Sequence, residues 1–215
     1  AKLFVNNLKI GNKISMVRSH IVEAFKSICC GDELTAQYLL LNCLSKVQQR
    51  VNGAAIGALP INIIINDKKV DNNFAVQLHE IVCNFKSRAL RIPMSINCLC
   101  KSSFSPIKDY DTNRLRSGTL QLASGTVIIL DECVLTTGKL DECGVKNVVA
   151  LQKLITEQKV AYDFKYYQTD FLADNPVVIV STSKSLLRGC CPIPMVANQD
   201  HDMKMDVSGT TEVLT

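Results

Sequence analysis

The segment that most constrains the fold is TVIIL at residues 126–130, which ends in the acidic pair Asp131–Glu132. A short, β-branched run without alternation is typical of a strand that is covered on both faces. Similar runs occur at 61–65 and 177–180, and helical patterns separate the three. Apolar strands alternating with helices predict an α/β protein, a three-layer sandwich with a mainly parallel sheet and inserted β-hairpins.

An apolar strand that ends in two carboxylates also resembles the site that holds magnesium and orients water in ATPases. Asp131 and Glu132 are therefore the candidate ATPase-like positions, although a strand that ends in a solvated turn would look the same. A phosphate loop needs glycines followed by Lys-Ser or Lys-Thr, and no such motif occurs in the chain. The loop that would take this place, NDKKVDNN at 66–73, has no glycine and carries two aspartates that would repel phosphate. The sequence therefore predicts a nucleotide-hydrolase scaffold with no catalytic residues, no cofactor and no metal.

Apolar residues spaced three and four apart predict four helices, at 14–28, 34–47, 74–85 and around 148–155. We expect Asp32 to cap the second helix and Asn72 or Asn73 to cap the third. The apolar face expected for the second helix consists of Leu34, Tyr38, Leu41, Leu44 and Val47.

Three further segments are predicted to be strands or loops. Residues 92–96 alternate as a strand, and Pro93 places it at a sheet edge or makes it a strand start. Leu120 and Leu122 are expected to form a tight hairpin with 126–130, through a turn that contains Gly125. Residues 101–114 are expected to form a loop.

Composition excludes several classes of protein. At 215 residues, with 47% hydrophobic content, the chain is long enough for one domain and too apolar for general disorder. A net charge of +4 is small for a nucleic-acid-binding protein. No apolar stretch approaches the ~20 residues that span a bilayer, which predicts a soluble, intracellular protein. The ten cysteines lack the repeated spacing of zinc ligands and are expected to be reduced and structural.

Two segments are candidate binding surfaces. Lys101, Lys108, Arg114 and Arg116 surround two aromatic residues, a mixture that could contact DNA, although a solvated loop is the commoner explanation. The second segment is a predicted aromatic hairpin, which we define by Tyr162, Phe164, Tyr166, Tyr167 and Phe171. Aromatic residues are favoured anchors at protein interfaces, and alternating aromatics are as often packed in a core.

Longer motifs point to a family. The segment RLRSGTLQLASG at 114–125, with the strand and acidic pair after it, resembles the ATPase domains of minichromosome maintenance (MCM) helicases. The chain is most similar to the MCM-binding protein family. The segments that carry this resemblance are KDYDTNRL at 108–115, SG at 117–118, GVKNV at 144–148, AL at 150–151, LIT at 154–156, QKV at 158–160 and YDF at 162–164, with a weaker match in GDEL at 31–34 and YLL at 38–40.

This resemblance implies an AAA+-like core at 31–197 with a degenerate phosphate loop, preceded by a helical segment at 1–30. A polar tail at 198–215, of disordered character, follows the core. The hairpin at 160–171 then corresponds to the one that precedes the first sensor, and 181–183 takes the place of the sensor asparagine. The missing initiating Met and the further sequence of the family on both sides predict a fragment of a longer protein.

The function implied by the resemblance is non-enzymatic binding of MCM subunits in the nucleus. It would influence their assembly, stability or unloading from chromatin during DNA replication, with a link to sister-chromatid cohesion and only indirect chromatin association. We hypothesise that the aromatic hairpin and residues 133–147 contact the helicase. The competing functions are an active ATPase with an atypical phosphate loop and a DNA-binding module that uses 101–116.

Overall fold

The computed structural model describes residues 2–65 and 73–197, with side chains from residue 13 onward. The helices are α1 (Lys2–Ile28), α2 (Glu33–Leu44), α3 (Phe74–Phe85), α4 (Ile96–Lys101) and α5 (Glu142–Glu157). The strands are β1 (Gln49–Val51), β2 (Ala54–Ile56), β3 (Ile61–Ile65), β4 (Ala89–Pro93), β5 (Ile107–Asp109), β6 (Arg114–Arg116), β7 (Val127–Asp131), β8 (Lys159–Asp163), β9 (Gln168–Leu172), β10 (Val177–Ser181) and β11 (Cys191–Met195).

Five parallel strands form the central sheet, in the order β11-β3-β10-β7-β4. Every residue of β7 and of β10 is buried. Along β7, Val127 and Ile129 face one hydrophobic cluster, whereas Ile128 and Leu130 face the other. The prediction of an α/β protein with a mainly parallel sheet is thus confirmed, because a strand needs apolar side chains on both faces only when both are covered.

Helices cover the two faces of the sheet. Side chains of α1, α2 and α3 belong to the cluster on one face, where Phe25 and Phe85 meet edge to face with ring centroids 5.3 Å apart. Leu99 of α4 and Leu151 of α5 belong to the cluster on the other face. The alternation of side chains along the central strands therefore joins the three layers into one structure.

A second sheet has the order β6-β5-β8-β9, in which only β5 and β8 are parallel. Strands β8 and β9 form the predicted hairpin, with Lys159 opposite Leu172 and Asp163 opposite Gln168. Strand β5 and the first residue of β6 lie in 101–114, which was expected to be a loop, and that prediction was wrong. The antiparallel ribbon β1–β2 stands apart from both sheets.

The predicted buried face of α2 is wrong, although the helix and its Asp32 cap are confirmed. Leu34, Leu41 and Leu44 are exposed, and the helix ends before Val47. The residues that α2 buries are Thr35, Ala36, Leu39, Leu40, Asn42 and Cys43. The reason is Asn42, whose side-chain amide donates to the carbonyl oxygens of Leu59 at 2.7 Å and Val177 at 2.9 Å. These bonds turn a polar residue inward and rotate the leucines outward.

The strand expected at 92–96 occupies 89–93 instead. Pro93 is its last residue, and β4 is an edge strand of the sheet, as Pro93 indicated. Ile96 opens α4 because the Ser95 hydroxyl accepts a hydrogen bond from the Cys98 amide and caps a helix there.

The hairpin expected at 120–130 does not form. Gly118 lies directly against the backbone of Phe104 and Ser105, where a Cβ atom would clash. The Leu120 amide then donates to the Phe104 carbonyl at 2.9 Å. This close packing turns residues 117–122 away from β7, so they cannot pair with it.

The loop at 66–73 lies, apart from Asn73, outside the described residues, as does the tail at 198–215. Helix α3 begins directly after Asn73, one of the two predicted capping residues.

In the described ranges no helix is both long and apolar enough to cross a membrane. The ten cysteines, all among the described residues, form no disulfide. Cys43 is buried and Cys83 is exposed.

Candidate functional site

The acidic pair lies at the carboxyl end of β7, the edge where ligands bind in open parallel sheets. Asp131 is the last residue of the strand, and its side chain is 4% exposed. Oδ2 accepts a hydrogen bond from Nη1 of Arg91 at 3.0 Å, and Oδ1 accepts one from the Cys133 amide at 3.2 Å. Asp131 thus forms an internal ion pair with Arg91 of the neighbouring strand β4, and each of its carboxylate oxygens accepts a hydrogen bond.

Glu132 is held by the segment that follows β10. Its Oε1 accepts from the Ser185 hydroxyl at 2.8 Å, and its Oε2 accepts from the Leu186 amide at 3.3 Å. Burial raises the pKa of the Glu132 carboxyl, and the hydrogen bonds from Ser185 and residues 186–187 oppose that rise. Glu132 therefore lacks the open carboxylate that would orient a water molecule.

The residues after β10 complete this edge. The Ser181 hydroxyl lies 2.9 Å from Oδ1 of Asn62 on β3 and 2.7 Å from the Ser183 carbonyl oxygen. Ser181 is therefore bonded within the protein, while Thr182 and Ser183 are exposed. Within the described residues, no cluster of three or more His, Cys, Asp or Glu side chains could hold a metal ion.

The aromatic hairpin combines packed and exposed rings. Tyr162 packs against Phe171 with ring centroids 4.2 Å apart, and Phe164 stacks on Tyr167 at 5.0 Å. Tyr166 and Tyr167 at the tip are 83% and 59% exposed. Phe171 is 45% exposed, whereas Tyr162 and Phe164 are half-buried. The structure thus brings the five predicted residues together and turns three of them to solvent.

Residues 133–147 connect β7 to α5 and begin that helix. Val134, Leu135 and Val145 are exposed apolar side chains in this segment. Asp141 caps α5 by accepting from the Gly144 amide at 2.7 Å, and this bond lowers the pKa of the Asp141 carboxyl. The segment therefore offers apolar surface beside a fixed helix start.

Two charged residues that form internal ion pairs in this region were not predicted from the sequence. Arg91 is the only cation within the apolar strand β4, and that isolation was the available signal for an internal ion pair. Asp109 accepts from Nε and Nη2 of Arg116 at 3.1 and 2.7 Å, and this pairing joins β5 to β6. The DTN sequence at 111–113 between two short runs was the signal for that turn, and Asn113 has a φ of 51°.

The arrangement defines an α/β protein whose ATPase-like carboxylates are bonded internally and whose exposed aromatics lie on a second sheet. Residues 2–213 match the family model described as mini-chromosome maintenance replisome factor. The chain belongs to this family.

Curated relatives agree with this assignment. Proteins named mini-chromosome maintenance complex-binding protein are 36% identical over 197 residues in Arabidopsis thaliana and 37% identical over 195 residues in Gallus gallus, each covering 91% of this chain. The Homo sapiens relative of the same name is 37% identical over 182 residues, or 85% of the chain. The chain spans 33%, 30% and 28%, respectively, of the length of these relatives.

Proposed function

We propose that this chain is a non-enzymatic binding partner of MCM helicase subunits. The relatives are named for binding the MCM complex, and exposed aromatic rings are the side chains that most often anchor protein interfaces. The observation that carries the proposal is the hairpin tip, where Tyr166 and Tyr167 are 83% and 59% exposed. Residues 133–147 extend the contact through their exposed apolar side chains.

The non-enzymatic half of the proposal rests on the carboxyl edge of the central sheet. To admit a metal, the Arg91–Asp131 pair would have to break, and the displaced Arg91 guanidinium would then repel the bound cation. Glu132 would also have to leave two hydrogen bonds to reach a water. Both carboxylates therefore stabilise the fold through internal contacts, and neither is available to bind magnesium or to orient a water molecule.

We further propose that the fold is a degenerate AAA+-like core. The carboxyl ends of the parallel strands β3, β10 and β7 lie at one edge of the sheet, with Ser181 at the end of β10 and the acidic pair at the end of β7. A core of this kind could occupy the position of a helicase subunit without taking part in hydrolysis. In this proposal the core is 31–197, and the helical segment at 1–30 packs against it through Val22, Phe25 and Ile28.

The biological role belongs to the same proposal. The chain would regulate assembly, stability or chromatin unloading of MCM subunits during DNA replication in the nucleus, with a link to sister-chromatid cohesion. Its association with chromatin would be indirect, through the helicase. Imaging of a fluorescent fusion through the cell cycle tests the nuclear location, and a fusion excluded from nuclei would contradict it.

Binding is tested by co-purifying the tagged chain with individual MCM subunits. Tyr166→Ala with Tyr167→Ala should weaken capture about tenfold or more, because losing an interface aromatic typically costs about 2 kcal/mol. The matched control is Leu44→Ala with Ile56→Ala, which removes exposed apolar side chains from α2 and β2. Equal capture by wild type and the tyrosine variant would exclude the hairpin tip as the contact.

Nucleotide binding is tested by calorimetry with ATP and magnesium. We expect no saturable heat at ATP concentrations up to about 1 mM, which corresponds to a binding free energy weaker than about −4 kcal/mol. Micromolar binding that Asp131→Ala abolishes would establish the competing ATPase. Unchanged heats in that variant would show that any nucleotide contact lies elsewhere.

A further inference from the structure

A cleft on the second sheet lies beside the proposed hairpin contact. It has a volume of about 480 Å³ and lies between the end of α4, the β5–β6 hairpin and the β8–β9 turn. This volume falls in the range of about 300–1,000 Å³ that is typical of binding pockets. The fold thus provides a concave surface in the region expected from sequence to be a loop.

The cleft is positively charged. Four cationic side chains line it, Lys101, Lys108, Arg116 and Lys165, against the two carboxylates Asp109 and Asp111. The carboxylate of Asp109 is 9% exposed, and the Arg116 guanidinium beside it holds its pKa below the usual range. The cationic groups therefore outnumber the acidic groups that solvent can reach.

Two of the cations, Arg116 and Lys108, are held by hydrogen bonds, and the other two are exposed. Arg116 uses Nε and Nη2 for Asp109, yet its side chain is 75% exposed. Lys108 donates to the main-chain and side-chain oxygens of Asn113, both at 2.8 Å. Lys101, at the end of α4, and Lys165, in the β8–β9 turn, are exposed and line the cleft. Serine hydroxyls on the cleft wall add neutral donors for an anionic group.

Aromatic rings border this charged surface. Tyr110 and Tyr166 meet edge to face with centroids 5.4 Å apart, and Nζ of Lys165 lies 5.8 Å from the Tyr110 ring centroid. The Tyr110 hydroxyl donates to the Phe164 carbonyl at 2.9 Å, which joins the cleft to the hairpin tip. Cationic groups and apolar rings therefore form one continuous surface.

We infer that this cleft binds a short acidic peptide segment of a protein partner. Asp or Glu side chains of that segment pair with Lys101, Lys108, Arg116 and Lys165, and a neighbouring apolar residue rests on Tyr166. The inference deepens the proposed function and depends on it, because it gives the chemistry of the segment that an MCM subunit would insert.

A peptide suits the cleft better than single-stranded nucleic acid does. Binding of successive nucleotides needs a basic groove and aromatic faces open to stacking. Here Lys165 lies over the Tyr110 ring, and Phe164 already covers one face of Tyr167. The exposed carboxylate of Asp111 at the rim would also repel a continuous row of phosphates. These features favour separate anionic side chains.

Fluorescence anisotropy at low salt tests the inference with a short fluorescein-labelled peptide rich in glutamate around a central leucine. The full chain should bind it, and Lys101→Glu with Lys165→Glu should weaken binding about tenfold or more, because two attractions become repulsions. The matched control, Lys13→Glu with Lys184→Glu, makes the same charge change at exposed sites outside the cleft. That control should stay within about twofold.

Three results would overturn the inference: equal binding of a peptide with glutamine in place of glutamate, equal binding by the cleft variant, or tighter binding of oligothymidylate. Co-purification separates this proposal from the proposed function. If wild type captures an MCM subunit and the cleft variant captures it equally, the cleft proposal fails and the proposed function stands. If wild type captures no subunit, the proposed function fails even where the peptide binds.

Discussion

Removing the Asn147 side chain should destabilise the protein more than any single surface change. Asn147 is on α5 and is 1% exposed. Its Oδ1 accepts from the Phe104 amide at 2.7 Å, and its Nδ2 donates to the carbonyl oxygens of Leu99 and Ser102, both at 2.7 Å. One amide therefore holds the end of α4 and the next loop, which leads into the basic cleft.

The magnitude follows from the groups that Asn147→Ala would leave without partners. Each buried donor or acceptor that loses its hydrogen bond costs about 1–3 kcal/mol. Water that enters the space left by the Asn147 side chain would replace some of the lost hydrogen bonds. Taking about 1 kcal/mol for each of the three groups, we expect a loss of roughly 3 kcal/mol in the free energy of unfolding. This would be a large share of the ~5–15 kcal/mol typical of a domain.

Urea unfolding followed by far-ultraviolet circular dichroism measures this loss, since the chain contains no tryptophan. The control is Asn84→Ala, an equal truncation at an exposed position of α3, which should change stability by less than about 0.5 kcal/mol. A loss below about 1 kcal/mol for Asn147→Ala, with an unchanged urea slope, would refute the assignment of three costly bonds to this side chain.

Two further changes test the other buried polar groups. Because burial raises the folded-state pKa of Glu132, the folded state binds its proton more tightly than the unfolded state does. Wild type should therefore gain stability relative to Glu132→Gln as pH falls from neutral towards 4.5, the ordinary pKa of a glutamate. Chemical unfolding at a series of pH values measures this difference, and a difference that stayed constant would contradict the prediction. Arg50 donates to three main-chain carbonyls around the junction of α5 and β8, so Arg50→Ala should cost about 2 kcal/mol. Arg50→Lys should restore less than half of that, because an ammonium lacks the planar fork, and full recovery in the same urea assay would argue against this reading.

The central sheet could be predicted because its strands carry their own signal. Residues 61–65, 126–130 and 177–180 are β-branched and covered on both faces, so the local sequence and the tertiary environment favour the same structure. The hairpin at β8–β9 could be predicted for the same reason, from alternating aromatic residues.

Other elements depend on contacts between residues that are distant in sequence, which no local pattern contains. The face of α2 is set by Asn42 reaching a carbonyl oxygen 135 positions away. The conformation of 117–122 is set by Gly118 lying against the Phe104 backbone. In both elements, a polar or steric contact between distant residues overrides the preference of the local apolar residues. The apolar pattern alone therefore predicts the wrong buried face for α2 and the wrong conformation for 117–122.

The candidate site also depends on contacts that the sequence does not predict. The acidic pair can be recognised in the sequence, whereas its hydrogen-bond partners cannot. Arg91 comes 40 residues before Asp131, and Ser185 comes 53 residues after Glu132. A ligand at that edge must first break these contacts, whereas a partner at the second sheet meets side chains that already face solvent. We therefore expect a partner to bind at Tyr166 and the basic cleft, where fewer internal contacts must break, and not at the carboxyl edge of the central sheet.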